Sequence, residues 1–290
     1  MAEKRIRYGG LSVTEYTSLD TPLVREVYEK DKNYIVKKGE GKEEVWVFFS
    51  GNGLYFPNDE ETFRETVIHR NRYEWTNLAQ TVQARAKKLI FVRDVFKRWY
   101  LDGINADCND PEKLVSLLRE EAGNLPLVTV GNSAGAYMAL LVGTALNARY
   151  IYAFNPQVSL FFVDKNDHPL VFSYGKTEKR KYFDLTEQIK QTRSTVFFFY
   201  AAKNKDDQKH ASLVEGAPIC FFPFRESCHG KTVLAVNYGT IFSSPERLKA
   251  LNIERPVSAR RFLFLTAKNK AFFLYCRSVW TRGWRKLTKR

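Results

Sequence analysis

No apolar run in this 290-residue chain approaches the roughly 20 residues that a membrane-spanning helix needs. Its first ten residues, MAEKRIRYGG, lack the apolar core of a secretory signal, so a cytoplasmic protein is expected. Cysteine is scarce: Cys108, Cys220, Cys228 and Cys276 show no CxxC spacing and are too few for a disulfide scaffold. They are expected to be reduced thiols, and neither a zinc site nor any other bound metal is expected. Internal repeats and low-complexity tracts are absent, which excludes solenoids and disordered linkers as the main architecture. Acidic residues are also in deficit, 32 against 46 Lys and Arg, for a formal charge of +14. Such a balance favours phosphates, polyanionic glycans or anionic lipid as partners without choosing among them.

What is present is enough apolar material, 44% of residues, for one large core. Six short runs rich in β-branched and aromatic residues read as strands buried on both faces: 45–50, 88–94, 125–130, 149–156, 194–202 and 217–224. Between them, residues 111–123 carry Leu114, Leu117 and Leu118 at helical spacing before a glycine stop, and residues 134–147 form a second helical run. Strands alternating with helices of this length predict an α/β fold with a mostly parallel sheet. Residues 1–44 are charged and weakly patterned and are expected to add an antiparallel edge hairpin. The catalytic domain is expected over 45–258, with 165–192 as an inserted polar cap or loop and 259–290 as a basic extension.

The stretch GNSAG, 131–135, lies where the third strand run gives way to the second helix. A nucleophile at the end of a central parallel strand must project above the sheet, and the turn into the next helix leaves no room for bulky neighbours. Gly131 and Gly135 flank Ser133 in the G-x-S-x-G pattern, and the helix that follows turns its positive end towards developing negative charge. A serine is inert at its free pKa, so the pattern demands a base and an orienting acid, in the order Ser, acid, His. Of four histidines, His69 and His210 lie in polar surroundings and His168 in the expected cap. His229, in FRESCHGK after the last strand run, is the candidate base. The loop after 194–202 offers Asp206 and Asp207 as the acid. Cys228 beside His229 is a poor nucleophile candidate, because adjacent side chains on extended backbone point apart.

An oxyanion hole needs two convergent N–H donors. One is expected at Ala134, directly after the nucleophile. The other is expected in SGNGLYFPN, residues 50–58, with Gly51 and Asn52 as candidates. Gln157, at the end of the strand after the elbow, is expected to face the site as a partner of the acid–base pair or of substrate, or else to be a turn residue.

In this arrangement the chain resembles α/β-hydrolase-fold proteins of bacterial surface-polysaccharide loci, including capsule O-acetyltransferases with a Ser-Asp-His triad. The resemblance runs from about Val45 to Gly239. It is carried by Phe49-Ser50, the GNSAG elbow, Asn155 and Gln157 in FNPQ, Lys205-Asp206-Asp207, and the late His229. It implies Ser133 as nucleophile, Asp207 as acid, His229 as base and Gln157 as an extension of the triad. It also implies acetyl-CoA as donor, with no permanently bound cofactor, and a sugar hydroxyl as acceptor. The chain departs from it at Ala136, where the family elbow carries a second glycine, and in RNRYEW (70–75), RDVFKRWY (93–100) and the tail, for which it offers no explanation.

Three functions fit these residues: an acyltransferase, an esterase or deacetylase working through the same acyl-enzyme, and a noncatalytic glycan- or membrane-binding scaffold. A complete Ser-Asp-His set argues against the third, and excess positive charge favours transfer from a phosphorylated donor to an anionic bacterial polysaccharide. From Ala259 to Arg290 the chain has no acidic residue, and Phe262, Leu265, Phe272, Cys276 and Trp280 fall near one helical face. This extension is expected either to lie on an anionic inner-membrane surface, making the protein peripheral there, or to pack on the domain as a final helix with a solvated basic end; nucleic acid is not an expected partner.

Overall fold

The computed structural model describes residues 6–8, 11–13, 19–163, 168–230, 232–251 and 253–267. Strands β1 (Ile6–Tyr8) and β2 (Leu11–Val13) form a small antiparallel pair of their own. The main sheet contains β3 (Tyr34–Lys38), β4 (Glu44–Phe49), β5 (Ala86–Val92), β6 (Leu127–Asn132), β7 (Tyr150–Phe154), β8 (Thr195–Ala201) and β9 (Ile219–Phe224). Their order across the sheet is β3-β5-β4-β6-β7-β8-β9, and every neighbouring pair is parallel except β3 with β5.

The apolar runs become strands because both sheet faces are covered. Along β4, Val45, Val47 and Phe49 enter one core while Trp46 and Phe48 enter the other, all fully buried. The first core packs under the helices Pro111–Ala122 and Ala134–Ala145, and the second under Ala235–Ser243 and Ala259–Ala267. Asp110 caps the first of these helices by accepting the Lys113 N–H at 2.8 Å, with Pro111 at its opening position. These layers and the strand order give an α/β-hydrolase fold. Strand order reverses between the adjacent β4 and β6, opening a crevice at their carboxyl ends where such sheets hold ligands.

Three regions take places that the sequence left open. The amino-terminal region contributes an antiparallel edge strand, but β3 pairs with β5 and makes no hairpin with β4. Residues 168–192, expected as a cap or inserted loop, lie in the connection from β7 to β8, where Val171, Phe183, Leu185 and Ile189 are buried in the first core. The start of the basic extension belongs to the domain. In the helix Ala259–Ala267, Phe262 and Leu263 are fully buried, and Phe262 meets Phe222 and Phe224 edge-on at 5.6 and 5.2 Å. Phe262 therefore cannot belong to a membrane-facing stripe. The rest of that stripe beyond Ala267, including Phe272, Cys276 and Trp280, lies outside the described residues.

Candidate active site

Ser133 follows β6 directly and adopts φ 53°, ψ −121°, a conformation that costs a non-glycine residue on the order of 1–3 kcal/mol. Two close approaches flank it. A Cβ on Gly131 would lie 2.1 Å from the Gly135 carbonyl oxygen, and one on Gly135 would lie 2.4 Å from the Phe49 carbonyl oxygen. Both glycines are thus required by packing, the first within the turn and the second where the turn touches the end of β4. Ala136, where the resembling family has glycine, is fully buried in the first core.

Ser133, His229 and Asp207 form one hydrogen-bonded chain. His229 Nε2 lies 2.8 Å from Ser133 Oγ, and His229 Nδ1 lies 2.5 Å from Asp207 Oδ1. The ring follows β9 and the carboxylate sits in the first turn of the helix Lys205–Leu213, whose N-cap Asn204 accepts the N–H groups of Asp206 and Asp207. Asp207 is 2% exposed whereas Asp206 points to solvent, which separates the two candidates for the acid. Burial alone would raise the Asp207 carboxyl. The His229 hydrogen bond and charge, the Ala201 N–H and the Asn155 amide outweigh it and hold the group below its ordinary range. Cys228 Sγ approaches the His229 carbonyl oxygen at 3.5 Å, so its recorded contact is with backbone rather than with the imidazole.

The residue supporting the acid is Asn155 rather than Gln157. Asn155 Nδ2 donates to Asp207 Oδ2 at 2.6 Å, and Asn155 Oδ1 accepts from Thr232 Oγ1 at 3.1 Å. It thereby ties the acid to the segment that follows the base. Gln157 Oε1 instead accepts from Trp99 Nε1 at 2.7 Å, so its place as an extension of the triad falls away, while its half-buried position leaves a substrate contact open. The sequence alone does not separate Asn155 from Gln157: Asn155 is the first position beyond β7, and the observed parallel register sets it next to the end of β8.

On the oxyanion side, the Ala134 N–H has no protein acceptor among the described residues. Of the two candidates for the second donor, Gly51 and Asn52, the structure leaves Asn52. The Gly51 N–H is already given to Glu74 Oε2 at 2.7 Å, whereas the N–H of Asn52, which opens the short turn Asn52–Leu54, is unclaimed. A cleft of about 410 Å³ lies beside the elbow, lined by Arg72, Glu74, Trp75, Asn77, Asn132 and Tyr238. No cluster of three or more His, Cys, Asp or Glu suited to a metal occurs among the described residues. Chemically, the arrangement offers a serine hydroxyl with a base at hydrogen-bond distance, an oriented acid and free N–H donors.

Comparison of the sequence with protein-family profiles and with curated proteins finds no match. Comparison of the fold finds clear neighbours. The capsule O-acetyltransferase of Neisseria meningitidis serogroup A superposes with a TM-score of 0.53 at 14% identity, covering 83% of this chain and 95% of the neighbour. A mutant of that enzyme in complex with CoA gives 0.51 at 13% identity over 76% and 99% of the two chains. A Staphylococcus aureus protein of unknown function gives 0.50 at 13% identity over 78% and 98%. At these identities the likeness is one of fold.

Proposed function

We propose that this protein is a serine acyltransferase that moves an acetyl group from acetyl-CoA to a hydroxyl of an anionic bacterial surface polysaccharide. The observation that carries this reading is the continuous hydrogen-bond chain from Ser133 Oγ through His229 to Asp207. Ser133 Oγ attacks the thioester carbonyl carbon while its proton passes to His229 Nε2. The resulting oxyanion is held by the N–H groups of Ala134 and Asn52. Collapse breaks the C–S bond, and the thiolate leaves with the proton from His229. In the second half a sugar hydroxyl loses its proton to His229 and attacks the acyl-serine; the Ser133 alkoxide then leaves and recovers that proton. Asp207, kept ionised, orients the imidazole and stabilises its charged form.

Transfer is favoured over hydrolysis by two considerations. A charge of +14 draws a phosphorylated donor and an acidic acceptor alike. The fold neighbours include a capsule O-acetyltransferase, one of whose structures is a complex with CoA. The hydrolytic alternative differs only in water taking the place of the sugar. Beyond Ala267 the basic tail would hold the enzyme at an anionic inner-membrane surface, next to acceptor assembly. Among the described residues no helix is long and apolar enough to cross a membrane.

The test is incubation with labelled acetyl-CoA and a panel of bacterial glycans, measuring acetate release beside transfer. Ser133-dependent label on a glycan is the expected result. Acetate release unchanged by every glycan would replace transfer by hydrolysis, and turnover undiminished in Ser133→Ala would remove the nucleophile. Liposome flotation with and without residues 268–290 checks the tail, with salt-sensitive binding to anionic vesicles expected only for the full chain.

A further inference from the structure

The segments RNRYEW and RDVFKRWY converge on one object, the backbone of the loop that follows β4. Trp75 Nε1 donates to the Phe49 carbonyl at 3.0 Å and the Tyr100 hydroxyl to the Ser50 carbonyl at 2.7 Å. Arg72 Nη1 donates to the Leu54 carbonyl at 2.8 Å, and Lys97 Nζ to the Tyr55 carbonyl. The gripping residues are themselves fixed. Arg93, 1% exposed, reaches Asn71 Oδ1 at 2.9 Å and lies 4.5 Å from the centre of the Tyr73 ring. The buried Asp94 carboxylate accepts the N–H groups of Phe96, Arg98 and Tyr100, folding a turn in which Lys97, Trp99 and Tyr100 all take positive φ.

Within this grip Glu74 is unlike its neighbours. The other four side chains donate to carbonyl oxygens, whereas Glu74 Oε2 accepts the Gly51 N–H, and its own N–H donates to Ser50 Oγ at 3.2 Å. A Cβ on Gly53 would lie 3.5 Å from Glu74 Oε1, and one on Gly51 would lie 2.6 Å from the Asn132 carbonyl oxygen, so the loop is pressed between Glu74 and the elbow. A carboxylate so close to a developing oxyanion would by charge alone oppose it, which makes its position rather than its charge the useful property.

We infer that Glu74 is a positioning residue of the oxyanion hole: by holding the Gly51 peptide it presents the next N–H, that of Asn52, to the acyl oxygen. The inference rests on the acyl-transfer reading. It accounts for the segment RNRYEW and for the loss of Gly51 as a donor with one contact.

Glu74→Gln keeps an oxygen acceptor for Gly51 and removes the charge; Glu74→Ala removes both. With acetyl-CoA as donor, Glu74→Ala is expected to lose about 30-fold in kcat, short of the ~10²–10³ that follows removal of a whole oxyanion donor. Its KM for acetyl-CoA should change less than about twofold, and Glu74→Gln should stay within about threefold of wild type in kcat. Should Glu74→Ala fail to fold, Glu74→Asp, too short to reach Gly51, replaces it with the same expected loss. Equal losses in the Gln and Ala (or Asp) variants, or kcat retained in both, would overturn the inference while leaving the acyl-transfer reading intact. A wild-type protein without Ser133-dependent turnover would remove that reading and the inference together.

Discussion

Gly135→Ala tests how closely the elbow and the oxyanion loop depend on one another. The added Cβ would lie 2.4 Å from the Phe49 carbonyl oxygen and 3.0 Å from the carbonyl carbons of Phe49 and Ser50, all backbone atoms. Ordinary contact begins near 3.4 Å, so the elbow and the end of β4 must separate by about 1 Å. Neither side yields easily, because Phe49 and Ser50 are held by Trp75 and Tyr100 and the elbow is enclosed between β4 and β7. Overpacking of this kind costs about 1–3 kcal/mol of stability. A displacement of about 1 Å between Ser133 and the loop N–H groups costs on the order of 10²-fold in turnover, or about 2.7 kcal/mol of transition-state stabilisation. Urea unfolding and acetyl-CoA turnover measure the two effects separately. Gly239→Ala is the control: its nearest neighbour is the Thr81 methyl at 3.8 Å, and within the helix Ala235–Ser243 alanine should be neutral or stabilising by up to about 1 kcal/mol. A Gly135→Ala protein that turns over within threefold of wild type would show that the contact does not set the distance between nucleophile and loop.

Other perturbations separate neighbouring residues. Asp207→Asn should cost on the order of 10⁴-fold in kcat through loss of the imidazole's orientation and charge partner, while exposed Asp206→Asn changes it less than about twofold; the reverse ranking in steady-state kinetics would move the acid by one residue. Asn155→Ala, which unties Asp207 from Thr232, should lower kcat about tenfold more than Gln157→Ala, and equal effects would deny Asn155 its supporting role. His210 is 3% exposed, and burial pushes it down to about 4. Its folded pKa lies below the unfolded value, so its contribution is fully present above about pH 6.5 and lost as pH falls towards 4, about 3 kcal/mol in all. Asp94, raised by burial to about 6, acts in the opposite direction but is common to wild type and His210→Gln, so it cancels in their difference. A difference in unfolding free energy that stays flat from pH 4 to 7 would refute the assignment.

The sheet was legible because its strands are covered on both faces: continuous apolar runs such as those at 45–50 and 194–202 coincide with β4 and β8 within a residue or two. The nucleophile turn was legible for a steric reason, since two glycines around a serine answer a crowding that the backbone itself creates. Periodicity could not reveal the partner of Gly51. Glu74 lies 23 positions further on in a segment without helical or strand pattern, and what matters there is one oxygen meeting one N–H. Asn155 and Gln157 were inseparable for a similar reason, as both sit at a strand end and only the approach of the β8 end assigns the acid to one of them. The carboxyl-terminal helix left two readings open because an amphipathic stripe reads alike whether membrane or protein covers it, and Phe262 faces protein.

The order in which the reacting groups occur along the chain bears on its synthesis. Ser133 comes early, on the central strand, but the imidazole that arms it arrives 96 residues later, beyond β9 at the far edge of the sheet. Asp207 depends on β8, already in place beside β7, and its bonds to Ala201 and Asn155 join the ends of those two strands. A chain that stops short of β9 holds the elbow serine but lacks the imidazole that meets it. The hydrogen-bonded chain from Ser133 through His229 to Asp207 is complete only once the far edge of the sheet has closed.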